Sequence, residues 1–270
     1  MCRLLGYLGK PIQLDQILYK PEHSLIVQSY QPREMHSAIL NADGFGIGWY
    51  NLQQQTNPYI YRNTQPIWSD LNLPYLSRYI NSDCHLAYVR SATAGLAVDL
   101  SNCQPFSSEK LHPDFDQRLL FLHNGYIDNF RQTLYRQIRN LLNDNSYQWI
   151  SGNTDSEHIF ALVLNELQNQ SEINLEKALV KAITTIDKMA AVDQVKFSAN
   201  AVIANGDKLI ATRYANFLPQ PTLYWLRDDP TYPDAVIIAS EPLFKANWKA
   251  FPENSILSVE KNLEVTINRL

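Results

Sequence analysis

The sequence predicts an α+β protein in which two packed β-sheets carry helices on their outer faces. Three observations lead there. The first third of the 270 residues reads as strands, the middle as amphipathic helices, and the last third as strands again. Such a succession suits a layered architecture. Hydrophobic residues make up 45% of the chain, enough for a substantial core. No Gly/Ser-rich or Pro-rich linker, internal repeat or low-complexity tract interrupts it, so residues 1–270 are expected to form one domain.

The elements follow in order. "CRLLGYL" (2–8) and "FGIGWY" (45–50) read as strands, with a short helix around 13–19. "DCHLAYVR" (83–90) and "RLLFLH" (118–123) are further strands, apolar and aromatic between polar or turn residues. From Asp128 to Leu142, Phe130, Leu134, Ile138, Leu141 and Leu142 recur at helical spacing. A second helix is expected over 155–167, with Asp155, Ser156 and Glu157 suited to its first turn. A third is expected over about 175–190. "ANAVIANGDKLIATRYA" (199–215) reads as a hairpin turning at Asn205-Gly206-Asp207, and "TLYWLR" (222–227) and "AVIIAS" (235–240) as strands.

Composition narrows the function. Net charge is −4, and Lys and Arg are scattered, so no nucleic-acid footprint is present. The longest apolar runs, such as 235–239, are strand-length and far too short for a bilayer. No secretory or transit segment precedes the first strand, and a cytoplasmic protein is expected. The three cysteines are too few, and odd in number, for a disulfide framework. With no C-x-x-C or H-E-x-x-H and with isolated histidines, neither a metal nor a cofactor is expected.

Cys2 directly follows Met1. Initiator methionine is normally removed before a small residue, which would leave Cys2 with a thiol and a free α-amine. An N-terminal amine is one known way to supply a nucleophile with its base. The plainer reading is a small apolar residue opening a strand. A lipidated cysteine is discarded, because one residue precedes it where a signal peptide would be needed.

Four further stretches carry chemistry. In "YVRSATAG" (88–95), Arg90 leaves an apolar strand for a small-residue loop and can clamp a carboxylate; the alternative is a surface arginine. In "FLHNGYIDNF" (121–130), the Asn124 amide and the Gly125 N–H can form an oxyanion hole; the alternative is an Asn-Gly turn before a helix. In "GNTDSEHIF" (152–160), Asp155 can bind an ammonium group or serve only as a helix N-cap. In "NADGFGIGWY" (41–50), closely spaced glycines let the backbone pass close to another group, without the lysine and helix start of a phosphate loop.

Taken in that order, the N-terminal Cys, R-S-A-T-A-G, H-N-G and T-D-S-E resemble the class II glutamine amidotransferases. That resemblance spans at least residues 2–160, and "SEPL" (240–243) fits it too. It implies a four-layer αββα N-terminal nucleophile hydrolase sandwich of two mainly antiparallel sheets between helix layers. It also implies that Cys2 attacks the γ-carboxamide of a glutamyl substrate. Arg90 would hold the α-carboxylate, Asn124 and Gly125 the oxyanion, and Asp155 the α-ammonium.

"MCRLLGYLG", "EHSLIVQSYQPRE", "NADGFGIGWY" and "NCQPF" are similar more closely to the amidohydrolase of ergothioneine biosynthesis, which removes glutamate from γ-glutamyl-hercynylcysteine sulfoxide. Ammonia-transferring relatives carry Arg-Gly where this chain has Asn41-Ala42, and a bulkier residue at Ser91. The implied partner is therefore a small γ-glutamyl substrate, with no nucleic acid or membrane. The alternatives are a stand-alone glutaminase subunit feeding a partner synthase, a hydrolase of glutathione-type γ-glutamyl peptides, and a non-catalytic binding module that retains the fold. A quaternary-ammonium leaving group would call for aromatic faces, and Tyr30, Phe45, Trp49 and Phe106 lie in or beside the motifs. Cys103 is expected near the site without acting in it, and Cys84 to be dispensable.

Overall fold

The computed structural model describes residues 2–34, 40–92, 98–112, 114–169 and 173–270. Two antiparallel sheets stack face to face. In the first, the strand order is β11 (Lys249–Ala250), β9 (Tyr224–Asp229), β10 (Tyr232–Ala239), β1 (Arg3–Gln13), β4 (Asn81–Val89), β2 (Phe45–Trp49) and β3 (Tyr59–Asn63). In the second it is β13 (Val265–Arg269), β12 (Ser255–Val259), β8 (Leu209–Arg213), β7 (Phe197–Ala204), β6 (Leu120–Ile127) and β5 (Phe106–Ser107). Helices α1 (Leu14–Leu18), α2 (Leu25–Tyr30) and α3 (Leu73–Tyr79) cover the outer face of the first sheet. Helices α6 (Asp155–Asn169) and α7 (Leu175–Asp193) cover the second, with α4 (Tyr135–Leu141) and α5 (Asp144–Trp149) packed beside α6. The layer order is αββα, as the resemblance implied.

Three apolar cores separate the four layers. Strand alternation assigns each side chain to one of them. On β1, Leu4 and Leu8 face the opposing sheet, while Leu5 and Tyr7 face the helices. On β6, Leu120 and Leu122 point between the sheets, and Phe121 points to α6 and stacks on Phe160 with ring centroids 4.8 Å apart.

The glycines of β2 mark where the sheets come closest. A Cβ at Gly46 would collide with the Gln104 carbonyl oxygen and lie 2.9 Å from Arg62 Cγ; one at Gly48 would lie 2.6 Å from Leu120 Cδ1. The glycine-rich stretch is therefore a strand whose backbone is approached from the other sheet.

Several elements differ from the sequence reading. The helix expected over 128–142 is ordered as α4 only from Tyr135, because Asn129 takes a positive φ of 49° and Thr133 turns its hydroxyl back onto the Asp128 and Asn129 carbonyls. Strand β6 does not stop at His123 but continues to Ile127, so His-Asn-Gly is strand rather than turn. Helix α7 runs on to Asp193, where Gln194 closes it in the left-handed region at φ 53°. Strand β3, helices α2, α3 and α5, and the terminal hairpin of β12 and β13 were not anticipated.

Because a backbone oxygen cannot yield as a flexible side chain can, Gly46→Ala is expected to cost at least ~2 kcal/mol. That corresponds to a Tm lower by roughly 4–8 °C in a thermal melt; an unchanged Tm would mean that the sheets do not approach as closely as described.

Candidate active site

Cys2 stands immediately before β1, a strand bonded on both sides, by β10 and by β4. It is half-buried at the margin of the inter-sheet core. The Ser91 N–H donates to its sulfur over 3.3 Å, and the Ser91 carbonyl lies 3.5 Å from the same atom. Tyr88, two residues before Arg90 on the inner face of β4, lies near enough for its hydroxyl to interact electrostatically with Cys2. Burial pushes that hydroxyl well above its ordinary range, with Cys2 and Asp155 adding and Arg90 opposing, so Tyr88 remains an O–H donor. Its electrostatic contact with Cys2, Arg90 and Asp155 at once puts the three predicted residues in one neighbourhood. Neither Ser91 nor Tyr88 was assigned a role from sequence. Their signal is position: Tyr88 closes the inner face of β4, and Arg90 and Ser91 follow directly on its last residue, Val89.

Arg90 is buried, which removes the surface-arginine alternative. Its backbone N–H donates to the Gly44 carbonyl (2.8 Å) and its Nη1 to the Asp43 carbonyl (3.2 Å). Asp43 returns the grip, its N–H donating to the Arg90 carbonyl (3.0 Å) and its Oδ2 accepting the Ala92 N–H (2.8 Å). Gly44 makes this turn at φ 116°, and a Cβ there would lie 2.8 Å from Cys103 Sγ. Cys103 is thus packed behind the loop, its thiol pushed up by burial despite Arg90 and Arg62 nearby. Cys84 is fully buried and likewise pushed up, by burial first. Residues 93–95 of the R-S-A-T-A-G stretch lie outside the described residues.

Asn124 and Gly125 lie in β6 opposite Asn200 and Ala199 of β7. The Asn-Gly turn is thereby ruled out. Their level in the sandwich can be counted. The Tyr50 hydroxyl donates to the Arg118 and Ala204 carbonyls at one end, and Gly48 faces Leu120. Gly48 is paired with Leu86, and Leu86 with Gly6. Two further steps of two residues carry Asn124 and Arg90 towards the end of the sandwich at which Cys2 lies. Asn124 is 1% exposed, and neither its Nδ2 nor its Oδ1 has a hydrogen-bond partner. Leaving such an amide unpaired costs about 1–3 kcal/mol per group. At Gly125, a Cβ would lie 2.5 Å from His123 Nε2 and inside the Ser198 carbonyl oxygen.

Asp155 is the first residue of α6 and not its cap; the cap is Thr154, whose Oγ1 accepts the Glu157 N–H (3.2 Å). The Asp155 carboxylate instead accepts the Ile127 N–H (2.8 Å) and the Ser156 N–H (2.7 Å), tying the helix start to the end of β6. His123 orients the neighbouring hydroxyl. Its Nε2 lies 3.1 Å from the Ser198 carbonyl, which only accepts, so Nε2 carries the proton. Burial lowers the His123 pKa, with Asp155 opposing, and the ring is neutral. Nδ1 then accepts the Ser156 hydroxyl (2.8 Å), closer to it than Asp155 Oδ1, which lies 3.3 Å from the same oxygen. Asp155 keeps acceptor capacity for an incoming cation.

The "SEPL" stretch anchors the start of β1, next to Cys2. Ser240 Oγ accepts the Leu4 N–H (3.0 Å). Glu241, 1% exposed, receives four partners: Arg3 Nε (2.9 Å), His23 Nε2 (2.7 Å), the Arg33 N–H (2.8 Å) and the Glu34 N–H (3.1 Å). Arg3 Nη1 in turn donates to the Cys2 carbonyl (3.1 Å).

The aromatic expectation is not supported at two positions: Phe45 and Phe106 are core residues, because their strands turn those positions to the helix layers. Trp49 stacks on Tyr59 and Tyr30 meets Trp68 edge-on. Among the described residues no cluster could hold a metal ion, and no helix is long and apolar enough to cross a membrane.

The model of the class-II glutamine amidotransferases matches residues 1–233. The chain belongs to this family of enzymes acting on γ-glutamyl amides. It is 30% identical to the probable glutamine amidotransferase DUG3 of Saccharomyces cerevisiae, over 97% of this chain and 82% of that protein. It is 28% identical to the gamma-glutamyl-hercynylcysteine sulfoxide hydrolase of Mycolicibacterium smegmatis, over 96% of both chains. Among solved structures, a glutamine aminotransferase class-II domain protein from Silicibacter pomeroyi superposes with a TM-score of 0.70 at 22% identity, covering 99% of each chain. The glutamine phosphoribosylpyrophosphate amidotransferase of B. subtilis superposes at 0.67 and 16% identity, over 99% of this chain and 49% of that one. These two likenesses concern the fold.

Burial alone would raise the Glu241 carboxyl, but hydrogen bonds from His23, Arg33 and Glu34 together with the Arg3 charge outweigh it and leave it below its ordinary 4.5. The unfolded chain then binds more protons at low pH, so this stabilisation is present above about 4.5 and is lost as pH falls through the lower folded-state value. Glu241→Gln is expected to cost roughly 3 kcal/mol in urea unfolding at pH 7, a deficit that shrinks towards pH 3. A pH-independent deficit would contradict an ionised carboxylate.

Proposed function

We propose that this protein is a γ-glutamyl amide hydrolase whose nucleophile is Cys2, exposed as the first residue by loss of Met1. The observation that carries the reading is the buried Asn124 amide, unpaired at the end of the sandwich where Cys2 and Arg90 lie. An oxyanion formed at the attacked carbonyl supplies the partner it lacks.

The steps balance. The Cys2 α-amine takes the thiol proton, and the sulfur attacks the γ-carbonyl carbon. Asn124 and Gly125 receive the oxyanion. Its collapse breaks the C–N bond, and the protonated amine gives its proton to the departing nitrogen. Water, deprotonated by the same amine, attacks the γ-glutamyl thioester and releases glutamate and the thiol. Arg90 holds the α-carboxylate and Asp155 the α-ammonium throughout, so both read the glutamyl half alone.

For the leaving half, γ-glutamyl-hercynylcysteine sulfoxide is the first candidate. The named hydrolases of M. smegmatis and of Mycobacterium tuberculosis, the latter 29% identical over 98% of this chain, support it. The yeast relative, named a probable glutamine amidotransferase, supports a second reading in which glutamine is hydrolysed for a partner synthase.

Asn124→Ala is expected to lower kcat by roughly 10²–10³ with little change in KM, because its donor is needed by the oxyanion. Arg90→Ala is expected to act mainly on KM. Steady-state kinetics that place the Asn124 effect in KM alone would refute the oxyanion assignment. Product analysis with γ-glutamyl-hercynylcysteine sulfoxide and glutamine side by side separates the two substrate readings: the first requires clearly higher kcat/KM for the sulfoxide, and equal efficiency would favour the second.

A further inference from the structure

An oxyanion hole built on an asparagine has a difficulty that one built on backbone N–H groups does not. The two ends of the amide have nearly the same shape, and only one is a donor. If Oδ1 faced the reacting carbonyl, the group would repel the oxyanion. Something must set which end points there.

We infer that Asn200 sets it once a carbonyl occupies the site, its Oδ1 then accepting one Nδ2 hydrogen of Asn124, a bond not made in this structure, so that the other is directed at the oxyanion. Asn200 lies directly across from Asn124 in the β6–β7 ladder. Directly opposed residues have Cβ atoms about 4.5–5.5 Å apart. Both side chains point between the sheets, Asn200 in line with Val202 and Ala204 and Asn124 in line with Leu120 and Leu122. Asn200 is fully buried, and its own orientation is not free. Its Nδ2 donates to the Thr222 carbonyl (2.9 Å) and the Pro221 carbonyl (3.2 Å). Carbonyl oxygens only accept, so the nitrogen must face them and Oδ1 must face away. Oδ1 is left without a partner, as are Nδ2 and Oδ1 of Asn124. An oxygen can only accept here, and the cross-strand amide offers the donor.

The assignment also accounts for how Asn200 is itself held. Thr222 Oγ1 donates to the Ser240 carbonyl (3.1 Å), and Ser240 Oγ accepts the Leu4 N–H (3.0 Å). A continuous set of hydrogen bonds thus runs from the amide opposite Asn124, in one sheet, to the strand that begins beside Cys2, in the other. Asn200 is a positioning residue in this account: it acts through Asn124 and does not touch the substrate.

The inference rests on the reading of Asn124 as the oxyanion donor, and a double-mutant cycle separates the two. Hydrolysis of a chromogenic γ-glutamyl anilide is followed for the unaltered protein, Asn124→Ala, Asn200→Ala and the double variant. Asn200→Ala is expected to lower kcat roughly tenfold with KM changed less than about twofold. In the Asn124→Ala background it should lower kcat no further. Full additivity, or a loss confined to KM, would overturn the inference while leaving Asn124 in place. A normal kcat for Asn124→Ala would overturn the oxyanion reading and the inference with it. Should Asn200→Ala fail to fold, Asn200→Ser, which can still donate to a carbonyl but is too short to reach Asn124, carries the same expectation. A second readout needs no turnover. Glutamate γ-semialdehyde forms a tetrahedral adduct with a thiol, whereas glutamate does not. Asn200→Ser should weaken inhibition by the aldehyde roughly tenfold and leave inhibition by glutamate unchanged; equal weakening of both would mark a merely structural role.

Discussion

Cys2, the proposed nucleophile, stands immediately before β1, and its position depends on what grips that strand. The buried Arg3–Glu241 pair is that grip. Glu241 uses both carboxylate oxygens to gather the Arg3 guanidinium, the His23 ring and the N–H groups of Arg33 and Glu34, and Arg3 reaches back to the Cys2 carbonyl. A buried ion pair is weak evidence for stability, since desolvation offsets much of its attraction. Here its value is geometric. It fixes the start of β1 against the loop after β10 and the segment after α2, both remote in sequence.

The second requirement is that two sheets contribute to one site. In the proposed site, Cys2, Tyr88 and Arg90 come from the first, Asn124 and Gly125 from the second, and Asp155 from the helix docked on the end of β6. Close approach is secured by the absence of side chains at Gly46 and Gly48, and by the Tyr50 hydroxyl, which spans from the first sheet to carbonyls of the second. Within the second sheet, the neutral His123 turns the Ser156 proton towards itself and leaves Asp155 as an acceptor. Each piece of polar chemistry is therefore set by a neighbour whose own hydrogen bonds admit a single orientation.

Much of this was legible in the sequence, for identifiable reasons. Strands buried on both faces, such as β4 and β10, show as unbroken apolar runs, and α6 and α7 show a clear helical period. What was missed is what those signals do not encode. Strand β3 is half-buried throughout and lies at a sheet edge, so it has neither a run nor a clean alternation. The positive φ of Asn129 shortened α4, and pattern alone cannot register it. The Asn-Gly pair misled in the opposite direction. It has turn chemistry, yet β7 approaches so closely that Gly125 is required within a strand. Arg90 read equally well as a surface residue until its burial was known. Ser91, Tyr88 and Asn200 come to notice through neighbours far apart in the chain, which no local window contains.

The central claim is that Cys2, freed of Met1, carries the γ-glutamyl group during turnover. Acid quenching of the working enzyme, followed by peptide mass spectrometry, tests it most directly. The account predicts an N-terminal peptide beginning at Cys2 and bearing a γ-glutamyl thioester, which accumulates when water attack is slowed. A γ-glutamyl adduct on another residue, or full activity from protein that retains Met1, would contradict it.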